Sequence, residues 1–128
     1  MAEKNKLLQI RELGGYPDFS AIYEKLGYQV ETATSMRKAL RMIKQNVPDV
    51  IVAEFNFQSD FRDRTSSLET LMAAIQQLKE IRLVIFYEKE YLHQFEKLRA
   101  RFSFHAELAY PIDSAELEKA VDQASARQ

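Results

Sequence analysis

Five short apolar runs, each separated from the next by an amphipathic stretch, constrain this chain more than any other feature. The runs at residues 6–10, 49–54, 83–86 and 106–109 have the length and apolar character of β-strands, and residues 28–32 alternate as a more exposed strand does. Between them, apolar residues recur three and four positions apart, the period of a helix with one buried face. Strict alternation of strand and helix implies parallel pairing. A parallel neighbour can be reached only by a crossover that returns along the sheet, and those crossovers cover both sheet faces with helices.

Punctuation along the chain supports this division. Tyr16, Pro17 and Asp18 open a first helix with Ile22, Tyr23 and Leu26 on one face, and Gly27 stops it at the left-handed cap position. Thr34 or Ser35 caps a second helix that turns Met36, Leu40 and Ile43 inward, and Asn46-Val47-Pro48 ends it. The third run, Asp49-Val50-Ile51-Val52-Ala53-Glu54, is continuously apolar up to a terminal carboxylate, as expected of a central strand covered on both faces. Ser66 with Glu69 forms a capping box for a third helix carrying Leu68, Leu71, Met72, Ile75 and Leu78. A fourth helix holds Tyr91, Leu92, Phe95, Leu98 and Phe102, and Asp113 with Glu116 caps a last helix running to about residue 124. Five strands and five helices predict one α/β domain over residues 1–128. Its expected form is a flavodoxin-like, doubly wound five-stranded parallel sheet of order 2-1-3-4-5. Ligands on such sheets sit at the carboxyl ends of the strands, which directs attention to residues 11–15, 54–60, 87–90 and 110–112.

Charge and residue usage remove several function classes. With 18 Lys and Arg against 19 Asp and Glu, the net charge is −1, and no overall field draws the chain to nucleic acid or an anionic membrane. The absence of Cys removes disulfides, thiolate metal sites and Cys nucleophiles together. Residues 1–8 lack a signal peptide's apolar core and no apolar stretch approaches the roughly 18 residues needed to span a bilayer, so a cytoplasmic location is expected. His93 and His105 lack a second ligand at zinc-site spacing. Gly14-Gly15 carries neither the dinucleotide nor the P-loop pattern, and Ser66 and Ser67 are accounted for by capping. Asp60, Asp63 and Glu54 alternate with Arg62 and Arg64, which reads as a mixed-charge loop. Arg37, Lys38, Arg41 and Lys44 form a basic face, either solvated or a patch for an acidic partner or nucleic acid. Phe55, Phe57 and Phe61 read equally as core filler for a long loop and as a protein-docking patch.

In order and spacing, Leu26-Gly27-Tyr28-Gln29-Val30, Ala39-Leu40, Pro48-Asp49-Val50-Ile51-Val52 and Pro111 resemble the receiver (CheY-like) domain of bacterial response regulators along nearly the whole chain. The resemblance implies two-component signal transduction. It also implies a pocket with an acidic pair after the first strand for a divalent cation, and a phosphoacceptor Asp ending the third. A small hydroxyl residue should end the fourth, and a Lys should precede the proline after the fifth, usually across a cis bond. Those positions fall on Arg11 and Glu12, Glu54, Tyr87, and Tyr110 before Pro111. Only Glu12 keeps the family's chemical character. Arg11 sets a fixed cation where Mg²⁺ needs oxygen ligands, Glu54 is a methylene too long, and Tyr110 cannot stabilise a transferring phosphoryl group. An Arg11–Glu54 ion pair across the rim is a reasonable expectation.

The expected function is that of a pseudo-receiver: a non-catalytic regulatory module, with no cofactor or metal, working through protein contact independently of aspartyl phosphorylation. The resemblance places its contact surface, for a protein partner or a homodimer, on the fourth helix, fifth strand and fifth helix, with Arg99 and Lys119 as charged representatives. Two alternatives stand beside it: an atypical phosphoacceptor using Glu12 with Asp60 or Asp49, and a small-molecule-binding domain of flavodoxin-like shape.

Overall fold

The computed structural model describes residues 5–11, 17–55, 67–76, 78 and 81–125, without the side chains of residues 67–69, 124 and 125. Its strands are β1 (Lys6–Ile10), β2 (Gln29–Ala33), β3 (Val50–Glu54), β4 (Arg82–Tyr87) and β5 (Ala106–Ala109). Between and after them lie α1 (Ser20–Lys25), α2 (Met36–Gln45), α3 (Ser67–Ile75), α4 (Leu92–Arg99), entered through a 3₁₀ turn at Lys89–Tyr91, and α5 (Ser114–Ser125). All four strand pairings are parallel and the order is β2-β1-β3-β4-β5, as the alternation requires.

The strand period of two sorts the core into two layers. Leu8, Ile10, Ile51, Ala53, Leu83 and Ile85 face α2, α3 and α4. Leu7, Val50, Val52, Val84 and Phe86 face α1 and α5, where Tyr23, Leu117 and Val121 meet them. Every residue of β3 is buried, since it lies between β1 and β4 with helices above and below. The outer strand β2 buries only Ala33.

The helix ends follow from local chemistry. Ser35 accepts a hydrogen bond from the Lys38 amide (3.1 Å) at the N-cap of α2. Gly27 adopts φ +96° beyond α1, a conformation that disfavours any side chain. Asp113 accepts from the Ala115 amide (3.2 Å) at the start of α5. Tyr110–Pro111 is cis, as the resemblance implies.

Several boundaries differ from expectation. α1 begins at Ser20, whose amide donates to the Asp18 carboxylate (2.9 Å). β3 begins at Val50, one residue later than the apolar run, and the Asp49 carboxylate accepts from the Lys6 amide (2.9 Å) just before it. α3 ends at Ile75, which leaves Leu78 39% exposed rather than inward. In α2 the deepest residues are Ala39 and Ile43, with Met36 and Leu40 at the margin of the layer. The expected capping pair Ser66 and Glu69 lies outside the described residues and side chains.

Candidate functional site

The carboxyl ends of the strands bring Arg11, Glu54, Tyr87 and the Tyr110–Pro111 step to one rim. β1 pairs with β3 as Leu7 with Val50, Leu8 with Ile51 and Gln9 with Val52, and the same offset sets Arg11 level with Glu54. Glu54 is aligned with Phe86 in β4 and is only 4% exposed, so a carboxyl group ends the most enclosed strand of the sheet.

A polar network lies beside it on the α1 side. Gln9 is buried, and its Nε2 donates to Asp18 Oδ1 (3.1 Å) and to Thr32 Oγ1 (2.9 Å), tying β1 to β2 and to the turn before α1. The Ser20 amide and then the Gln9 amide donate to Asp18 and hold its carboxyl below its ordinary value, with the Arg11 cation assisting. Arg11 Nη1 lies 4.0 Å from Asp18 Oδ2. Arg11 therefore meets Asp18, a partner that the sequence did not suggest.

Tyr23 on α1 completes this side. Its ring is fully buried, and its hydroxyl has no hydrogen-bond partner among the described residues. Burial pushes its phenol above the ordinary value, the nearby Asp18 charge adds to this, and Arg11 opposes it.

Tyr87 is turned toward α4. Its ring stacks on Phe95 of α4 (centroids 4.7 Å, planes 16° apart), and Phe95 in turn stacks on Phe104 (5.9 Å). Phe55 is 4% exposed and packs on Phe95 at 5.2 Å, which makes it core filler and removes it from any docking patch. Tyr110 is 45% exposed, and its amide donates to the Tyr87 carbonyl (2.8 Å). Glu12, Phe57 and Phe61 lie outside the described residues.

On the expected contact face, Lys119 is exposed but Arg99 is engaged within the molecule. Its Nη2 and Nε donate to Glu107 Oε1 of β5 (2.7 and 2.9 Å), and its guanidinium lies 5.6 Å from the Phe95 ring centroid. The His105 ring Nε2 lies 3.1 Å from the Ala120 carbonyl, a structural link between the start of β5 and α5.

No protein-family model matches the sequence, and no curated protein matches it. Solved structures do resemble it. The response regulator receiver domain protein from Clostridium thermocellum superposes with a TM-score of 0.73 at 20% identity, covering 94% of this chain and 93% of the other. Vibrio cholerae CheY4, a chemotaxis response regulator, gives 0.73 at 20% identity over 95% and 99%. The receiver domain of NtrX from Brucella abortus gives 0.74 at 18% over 92% and 96%. The chain has the receiver fold.

Within that fold, the described rim does not suit a divalent cation. Mg²⁺ requires oxygen donors in near-octahedral array. Here a guanidinium stands at the end of β1, Asp18 is already occupied by two donors and that cation, and no group of three His, Asp or Glu residues among the described residues could hold a metal. Gln9, Asp18, Thr32 and Tyr23 were not singled out from sequence as rim residues. Gln9 offered a signal, being the one polar residue inside the apolar run of β1.

Proposed function

We propose that this chain is a receiver-type signalling module that acts through protein contact and does not use aspartyl phosphorylation. The observation that supports this most strongly is Glu54, a buried carboxyl at the end of the central strand, level with the cation Arg11. A phosphoacceptor must be open to donor and metal, whereas burial at this position opposes the arrival of a dianionic group with its hydrated cation. The rim thus supplies a fixed charge arrangement, and information passes through surfaces. The face formed by α4, β5 and α5 is the expected place for a protein partner or a second copy, with Lys119 available and Arg99 serving first to brace α4 on β5.

Incubation with a small-molecule phosphodonor and millimolar Mg²⁺, followed by intact-mass measurement at neutral pH, should show unmodified protein. An acid-labile adduct of one phosphoryl group, lost in Glu12→Ala or Glu54→Gln, would establish an atypical phosphoacceptor and overturn the reading.

A further inference from the structure

We infer that the exposed face of α2 is a docking surface for an acidic protein surface, separate from the α4–β5–α5 face. The inference rests on the reading of the chain as a protein-contact module and names one of its partners by chemistry.

α2 carries Arg37, Lys38, Arg41 and Lys44, all exposed, and contains no carboxylate. Among the described residues none of the four forms an ion pair. Elsewhere Lys25 meets Glu118, Arg11 meets Asp18 and Arg99 meets Glu107. The opposite side of α2 is fully committed to the core through Ala39 and Ile43, so the basic face can only point outward.

The placement is unfavourable for the helix itself. Arg37 and Lys38 are the second and third residues after the Ser35 cap, where the positive end of the helix dipole favours acids and disfavours cations. Arg37 with Arg41, and Arg41 with both Lys38 and Lys44, are like-charged neighbours at spacings of four and three, which destabilise a helix. A solvated face needs charge, but it does not need four charges of one sign starting at the wrong end. An opposing row of carboxylates would relieve both penalties at once.

The row from Arg37 to Lys44 is about 10 Å long at roughly 1.5 Å per residue, two turns of helix, which a facing acidic helix or loop can match. A nucleic acid is the poorer fit. Four cations on a chain of net charge −1 give a short patch with no wider positive field to hold a long polyanion.

The test is titration of the whole chain into a labelled helical peptide bearing Glu at spacings of four and three, at low salt, read by fluorescence anisotropy. Salt-sensitive binding is expected. Arg37→Glu with Lys38→Glu and Arg41→Glu should weaken it by about tenfold or more, while Lys97→Glu with Lys119→Glu on α4 and α5 leaves it within about twofold. The α2 variant should also melt at a higher temperature, because acids replace cations at the positive end of the helix. Absence of binding, equal losses in both variants, or no gain in melting temperature overturns the inference. So does tighter binding of a DNA duplex or of phosphatidylglycerol vesicles than of the peptide, or self-association as the only salt-sensitive event. A negative result here with no phosphoryl adduct formed leaves the protein-contact reading standing and removes only α2 from it.

Discussion

Among the described residues, Tyr23 has a chemistry that its surroundings serve poorly. Its buried hydroxyl has no hydrogen-bond partner among the described residues, and lost hydration without a replacement costs about 1–3 kcal/mol. Tyr23→Phe keeps the ring that fills the α1 layer and removes the orphaned group, so it should stabilise the protein by about 1 kcal/mol. Chemical denaturation would show this as a higher midpoint with an unchanged slope. A clear loss of stability instead would mean that the hydroxyl is used. Tyr28 makes the contrast, because its hydroxyl donates to the Val121 carbonyl (3.0 Å) and links the start of β2 to α5. At this scale the sequence was legible where a residue ends an element and opaque where its partner is distant. Glu54 was recognisable as the carboxylate closing the central strand, because a charge after a continuous apolar run can only sit at its end. The Gln9–Asp18–Thr32 network was not, since it joins three segments that only the fold brings together. For the same reason the Arg11–Asp18 contact was not foreseen.

Elements show a different balance. The order of strands and helices followed from periodicity, and errors collected at the ends, where one side-chain hydrogen bond decides whether a helix or strand continues. Tyr87 shows how far the strand period reaches. With a period of two it shares a face with Leu83 and Ile85, which point to the α4 layer, so stacking on Phe95 was its natural outcome. α4 is then held to β5 from two sides, by the ring stack of Tyr87, Phe95 and Phe104 within and by the Arg99–Glu107 bond without. Arg99→Ala should lower the melting temperature, and Arg99→Ala combined with Glu107→Ala should lower it little further, because the first change already removes the shared bond. High salt should shrink the difference between wild type and either single variant. Strictly additive losses would show that the bond does not brace the helix.

At the scale of the whole molecule, the parallel order β2-β1-β3-β4-β5 gives each strand a different degree of enclosure. β2 and β5 lie at the outer edges, with β2 mostly open to solvent and β5 only half-buried, while β3 has a strand on both sides and no exposed residue. Native-state hydrogen exchange should therefore rank the strands. The amides of β3 should exchange only through global unfolding, with the protection of the full unfolding free energy, and those of β2 and β5 should exchange sooner through local openings. Exchange of β3 as rapid as that of β5 would contradict the ranking. Glu54 belongs to the slowest of these segments. Its amide should thus time the loss of the entire fold, so that the charged rim disappears only when the molecule as a whole comes apart.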